Sequence, residues 1–161
     1  MSSRRACSYV VGPQRAAAAP PRADPPRPGH SVYGVYVQPG AGYRHAVGSG
    51  VATDGGGAAV QMWDCQSGAG DQHWTHESDG SLTTLGRCLD VTGDSTAEDT
   101  PVELWDCDGN GGQVWVQQTD GSLVNPQSGL CLDATGGATA NATRLQIHDC
   151  NGTAAQKFAL H

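Results

Sequence analysis

Asp90 and Asp133 each close a Cys-Leu-Asp triplet, Cys88-Leu89-Asp90 and Cys131-Leu132-Asp133. Downstream of the first come Glu103 and Trp105, and downstream of the second come Gln146 and His148. These residue types suit one kind of ligand. A sugar offers hydroxyls along its edge and C–H groups on its face. A fixed carboxylate accepts hydrogen bonds from two hydroxyls, an aromatic ring stacks on the C–H face, and a further polar group completes the edge. Asp90, Glu103 and Trp105 are therefore one candidate site; Asp133, Gln146 and His148 are another.

Plainer readings compete with each of these. Asp90 and Asp133 could cap turns, although their identical placement after Cys-Leu favours a site. In Val102-Glu103-Leu104-Trp105, strand alternation puts Val102 and Leu104 on one side and Glu103 with Trp105 on the other. If the aliphatic side is inside, Trp105 is an exposed ring beside a carboxylate, which suits sugar better than structure. His148 shares a face with Gln146 and is equally a weak stacking platform or a solvated surface histidine. Asp106-Cys107-Asp108-Gly109-Asn110-Gly111 matches the opening of a calcium loop, but its twelfth position is Gln117 rather than Glu. Asp71, His73 and His76 are loosely spaced on one turn and read as surface. The reading calls for no metal and no cofactor. Neither a G-x-S-x-G nor an H-E-x-x-H motif supports catalysis.

The elements that must position these residues repeat. Gln72-His73-Trp74, Gln113-Val114-Trp115 and Gln156-Lys157-Phe158 recur at spacings of 41 and 43 residues. Ahead of each stands an Asp-Cys pair: Asp64-Cys65, Asp106-Cys107 and Asp149-Cys150. Each pair is preceded by an alternating apolar stretch. A fixed period of about forty residues means one supersecondary unit used three times, and units of that size must share a core. Trp74, Trp115 and Phe158 are expected in it. Asp79-Gly80-Ser81-Leu82 and Asp120-Gly121-Ser122-Leu123 read as hairpin turns entering strands. Cys88 to Cys107 and Cys131 to Cys150 are both 19 residues apart, which argues for two equivalent disulfides. In the chain-entropy model each contributes ~3 kcal/mol. The first repeat reads as damaged: Ser49-Gly50 matches Ser128-Gly129, but Val51 follows where Leu130-Cys131-Leu132-Asp133 should intervene. That implies a deletion, no sugar binding there, and a Cys65 that is free or weakly paired.

Gly is abundant at 23 residues, charged residues are sparse at 16%, and short strand-like runs are split by turn residues. The chain is expected to be all-β. Residues 1–30, rich in Pro, Ala and Arg, carry a local charge of +4 and read as a dispensable tail or linker, or as a misplaced gene start. Arg4-Arg5 lacks the apolar stretch of a secretion signal. The remaining 31–161 carries −11, which makes nucleic acid and anionic membranes poor partners. Structural disulfides imply a secreted, oxidising location.

The recurrence of Cys-Leu-Asp, Leu-Trp-Asp-Cys and Gln-x-Trp in one order, over roughly 43–161, resembles the ricin-type β-trefoil lectins, including the xylan-binding trefoil modules attached to bacterial xylanases. The resemblance implies a β-trefoil, with twelve strands in three four-stranded lobes and repeats at about 43–85, 86–128 and 129–161. It implies one shallow sugar pocket per lobe, a polysaccharide or glycan of galactose or xylan type as partner, and no catalysis. A glycoside hydrolase domain absent from this chain would be the natural neighbour of such a module. The family usually has Asn just before the Gln of Gln-x-Trp, where it hydrogen-bonds the sugar; here that position holds Asp71, Gly112 and Ala155, and Asn110 and Asn151, in the same loops, are the candidate substitutes that the resemblance implies. A targeting module left from a truncated hydrolase and a structural or protein-binding trefoil stay open as alternatives. Non-reducing peptide mapping should return the pairs Cys88–Cys107 and Cys131–Cys150. A crossed pair such as Cys107–Cys131 would break the equivalence of the repeats.

Overall fold

Alternation sets the inward face of each hairpin. Val102 and Leu104 are fully buried, Glu103 is half-buried and Trp105 is 43% exposed. Leu145 and Ile147 are fully buried in the same way, while Gln146 and His148 are half-buried. The computed structural model describes residues 31–33, 35–37, 45–48, 56–65, 70–138 and 140–160, so the segment 1–30 lies outside the described residues.

The strands are Ser31–Tyr33 (β1), Val35–Val37 (β2), His45–Gly48 (β3), Ala58–Ala59 (β4) and Gln61–Asp64 (β5). Trp74–His76 (β6), Leu82–Thr84 (β7), Arg87–Val91 (β8), Val102–Trp105 (β9) and Val116–Gln117 (β10) follow. Leu123–Asn125 (β11), Leu130–Ala134 (β12), Leu145–His148 (β13) and Phe158–Leu160 (β14) complete them. Twelve form three equivalent antiparallel units: β6-β7-β8-β9, β10-β11-β12-β13 and β14-β2-β3-β5. This is the β-trefoil that the resemblance implies. In the unit that carries the first repeat, β14-β2-β3-β5, Phe158 pairs with Val37, so the last strand closes onto the second. β1 and β4 are short additions on the edges of β6 and β9.

The three units share one core. Trp74, Trp115 and Phe158 are at most 1% exposed, and Val47, Leu89 and Leu132 lie with them, as do Met62, Leu104 and Ile147. Two kinds of hydrogen bond stitch neighbouring units. The hairpin turns at Gly80 and Gly121, with φ of +91° and +88°, offer their carbonyls to the N–H groups of Trp115 (2.9 Å) and Phe158 (2.8 Å). A left-handed residue in each long loop then donates its N–H to the next unit. Gly57 donates to Leu104 O (2.8 Å), Asp99 to Ile147 O (2.8 Å) and Ala142 to Met62 O (2.9 Å).

The first repeat corrects the sequence reading. Its strand β3 pairs Ala46 with Trp63, Val47 with Met62 and Gly48 with Gln61. In the second repeat Cys88 pairs with Trp105, Leu89 with Leu104 and Asp90 with Glu103. Ala46-Val47-Gly48 therefore stands in the place of Cys88-Leu89-Asp90. Nothing is deleted; the strand is substituted, and Gly48 holds the aspartate position. Cys65 is disulfide-bonded, which corrects the expectation of a free or weakly paired thiol. The two expected disulfides are present: Cys88–Cys107 and Cys131–Cys150, each with Cα atoms 5.1 Å apart.

The core tryptophans carry a second duty. Trp115 Nε1 donates to Leu89 O at 3.0 Å and Trp74 Nε1 to Val47 O at 2.8 Å. Trp115→Ala should lose packing and orphan a buried carbonyl, costing about 3–5 kcal/mol. Trp115→Phe, copying Phe158, should cost less, and exposed Trp105→Ala should be close to neutral. Denaturant melts of the three variants test this ranking; a Trp105→Ala cost equal to that of Trp115→Ala would overturn it.

Candidate functional site

In the second unit Asp90 and Cys88 on β8 lie opposite Glu103 and Trp105 on β9, so all four share the outer face of the hairpin. The Cys88–Cys107 disulfide ties the two strands two residues from Asp90 and from Trp105. Asp90 is nevertheless only 5% exposed, whereas Trp105 on the same face is 43% exposed. The cause is the short 3-10 turn Gly111–Gln113, which folds over it.

Gln113 organises this turn. It is 1% exposed, and its amide is satisfied on both sides. Nε2 donates to Asp90 Oδ2 (3.0 Å) and to Asp106 O (2.9 Å). Oε1 accepts from the N–H groups of Asp108 (3.0 Å) and Gly109 (3.3 Å). The recurring Gln-x-aromatic is thereby explained. Its Gln grips the aspartate of the Cys-Leu-Asp strand, and its aromatic, two residues on, reaches the leucine position of that strand.

The other carboxylate oxygen, Asp90 Oδ1, is buried with no hydrogen-bond partner, and so is Asn110 Oδ1. Both face the bare Cα of Gly112. A Cβ there would stand 3.0 Å from Asp90 Oδ1, 3.3 Å from Asn110 Oδ1 and 2.9 Å from Asp94 Oδ1. Asp94 takes the Gly112 N–H at 2.7 Å. Acceptor oxygens thus gather around one point with few donors to meet them. Burial is the main cause that pushes the Asp90 carboxyl above its ordinary 3.8; the Gln113 bond opposes it, while Asp108, Glu103 and Asp94 add to it. Beside this cluster Gly56 and Gly57 lie against the Trp105 ring, and a Cβ on Gly57 would be 3.3 Å from Glu103 Oε2. Asp94, at φ +54°, was not singled out by the sequence reading. Only its contact across the turn reveals it.

The third unit repeats the frame with different contents. Gln156 Nε2 donates to Asp133 Oδ2 (3.1 Å) and Asp149 O (2.8 Å), and its Oε1 accepts from Asn151 N–H (2.8 Å). Here Asp133 Oδ1 is already met by Gln146 Nε2 at 3.4 Å. Gln146 also donates to Asp99 Oδ1 and accepts from Thr135 Oγ1, both at 3.2 Å. His148 Nδ1 lies 3.0 Å from Asp99 Oδ1 and 2.9 Å from Glu98 Oε1. Asp133, Gln146 and His148 are brought together as expected, but a web anchored by Asp99 ties them to one another. Burial likewise raises the Asp133 carboxyl.

The two asparagines part company. Asn110 reaches the second pocket beside Asp90. Asn151 takes the place of Asp108: each offers its backbone N–H to the Gln and its Oδ1 to the N–H two residues on, from Thr153 and Asn110 respectively, both at 3.0 Å. Asn151 is exposed. Among the described residues no group of His, Cys, Asp and Glu could hold a metal ion.

The family model for the ricin-type beta-trefoil lectin domain matches residues 47–158. Beta-galactoside-specific lectin 3 of Viscum album is 35% identical over 78 residues, 46% of this chain and 13% of that protein. The chain spans only 12–14% of the other curated relatives it matches. Among solved structures, the agglutinin of Abrus precatorius superposes with a TM-score of 0.72 at 22% identity, covering 81% of this chain and 48% of that one. The designed threefold-symmetric protein ThreeFoil gives 0.67 at 25% identity, covering 80% and 96%.

The Asp99 clamp makes a pH test. Its hydrogen bond, with Glu98 and Asp133 nearby, raises the His148 pKa above its ordinary 6.5. A raised histidine adds stability that is fully present below the unfolded value and is lost as pH rises through the folded value. Asp99→Asn should therefore lower the melting temperature near pH 6 and make little difference near about pH 9. An equal gap at both pH values would show that the clamp does not depend on a charged His148.

Proposed function

This chain belongs to the ricin-type beta-trefoil lectin domain family, and from that membership we propose that it binds carbohydrate without catalysing its cleavage. The second-unit pocket of Asp90, Glu103, Trp105 and Asn110 is the principal site. One observation carries the reading: two buried acceptor oxygens, Asp90 Oδ1 and Asn110 Oδ1, lack donors beside an exposed tryptophan. Sugar hydroxyls are donors, and the C–H face of the same ring can stack on Trp105. Entry of a hydroxyl asks for rotation of Asp94 or Asn110, both on surface turns. The third pocket, with Asp133, Gln146 and His148, is the weaker one, because a sugar must break the Asp99 web before it gains a bond. Asn151 drops out of the proposed contacts.

The ligand is a galactose-type glycan first, as the name of the Viscum album relative suggests, with xylan-type chains as the second choice. Catalysis is not part of the reading. Asp90 and Glu103 stand on one face of one hairpin, whereas glycoside hydrolysis places two carboxylates on either side of the scissile bond. The two disulfides fit a secreted protein in an oxidising compartment.

Asp90→Asn separates binding from stability. A raised carboxyl holds its proton more tightly in the folded chain than in the unfolded one, so stability falls as pH rises through the folded value. At neutral pH the cost of the buried charge is fully present, and Asn removes it. The variant should melt at or above wild type at pH 7 and bind methyl β-galactoside or xylobiose about tenfold more weakly, since bonds to charged acceptors are worth ~1.5–3 kcal/mol. Trp105→Ala should weaken binding similarly. Two normally folded variants that bind as wild type would move the structural-trefoil reading ahead.

A further inference from the structure

We infer that the first unit holds a third glycan pocket in which Asp71 supplies the carboxylate that Gly48 lacks. This rests on the sugar-binding reading above and goes against the expectation that this repeat is empty. Gly48 lies opposite Gln61 as Asp90 lies opposite Glu103, so it marks the aspartate position. Asp71 precedes Gln72 as Gly112 precedes Gln113. These two positions touch in both units. A Cβ on Gly112 would stand 3.0 Å from Asp90 Oδ1, and a Cβ on Gly48 would stand 2.9 Å from Asp71 Oδ2 and 3.2 Å from Gln72 Cγ. Each unit thus has one carboxylate and one bare Cα facing each other, in opposite order. In both units a carboxylate fills the gap between these two positions; in the first it comes from the other strand connection.

Among the described residues, the ring and the amide of the second pocket have counterparts here. Trp63 takes the position of Trp105 and Gln61 that of Glu103, both half-buried on the outer face. Gln72 is 7% exposed and donates to Asp64 O at 3.1 Å, as Gln113 does to Asp106 O. The loop residue that clamps the third pocket, Asp99, is here Ala142, whose methyl cannot tie up Gln61. A carboxylate, an indole ring and an amide are thus gathered for a pyranoside with adjacent hydroxyls, the ligand class proposed for the second unit.

Gly48 explains why the exchange had to be reciprocal. A side chain at 48 collides with Asp71, so an aspartate can return there only if 71 becomes small. Ala155, at the same position in the third unit, shows that Ala is tolerated beside Asp133.

The test uses the full chain, titrated with methyl β-galactoside and with xylobiose, with thermal melts in parallel. The double variant Asp90→Asn with Asp133→Asn should leave one site at wild-type affinity, with the other two weakened about tenfold. Adding Asp71→Ala should weaken that site about tenfold or more. Adding Gly48→Asp with Asp71→Gly to the double variant instead should keep it, because the carboxylate has only changed sides. A folded double variant that keeps no site at wild-type affinity while wild type binds would overturn the inference and leave the second-unit pocket standing, as would an Asp71→Ala triple variant that binds like the double. Wild type that binds neither sugar would sink both proposals. If the double variant does not fold, Asp71→Ala alone decides the matter: saturation stoichiometry should fall by one site, and an unchanged stoichiometry overturns the inference.

Discussion

The buried side-chain amide before each core aromatic is the interaction on which the rest depends. In the second and third units it joins three pieces of chain that are distant in sequence. These are the aspartate of the Cys-Leu-Asp strand, the carbonyl before the second half-cystine, and the turn between that carbonyl and the amide itself. Remove it and Asp90 is left buried with neither oxygen fixed, while Asp133 keeps only its bond from Gln146, which is costly in a low-dielectric setting. Its position two residues from the core aromatic makes the link rigid. The aromatic is anchored by packing, and in Trp74 and Trp115 also by an indole bond to the neighbouring strand. Pocket geometry is therefore set by the core, although the pocket lies on the surface.

On this common frame the three units differ at a few positions, and each difference changes the chemistry. Gly57, Asp99 and Ala142 occupy one loop position with one backbone bond and one left-handed conformation. Gly57 leaves room beside Glu103 and Trp105, and Asp99 fills its pocket with a carboxylate that binds Gln146 and His148. A residue with no reason of its own to adopt positive φ is held there by the same bond that glycine makes without strain. The acceptor side varies as well: Asp90 keeps an unmet oxygen, Asp133 has both met, and the first unit trades its aspartate for Asp71. The three proposed pockets, carried on one frame, would act through multivalency on a clustered glycan, where avidity exceeds any single site.

Burial and the proposed function pull against each other at Asp90. A carboxylate gripped by one amide and otherwise short of donors destabilises the fold in its charged form. That same shortage is what a ring of hydroxyls can relieve. The disulfide beside it and the core beneath it hold the group in place where a softer scaffold would let it turn to solvent.

Much of this was written in the sequence. The forty-residue period required a shared core, and alternation in Val102-Glu103-Leu104-Trp105 correctly put Trp105 outside. Equal Cys spacing identified both disulfides, and the Asp-Gly-Ser turns fell where expected. These features are local or repeat at a fixed interval, so one chain carries its own controls. What only the tertiary structure decided depends on partners distant along the chain. The first repeat looked deleted because its strand kept none of the Cys-Leu-Asp letters; pairing register, set by the partner strand β5, shows Ala46-Val47-Gly48 in their place. Asn151 and Asn110 looked alike in sequence, yet the turn geometry assigns Asn151 to the role of Asp108. Asp90 is buried by a turn more than twenty residues away. Asp71, Asp94 and Asp99 gain their significance from contacts across turns or units, and no spacing rule in a single repeat encodes where the next unit's loop will land.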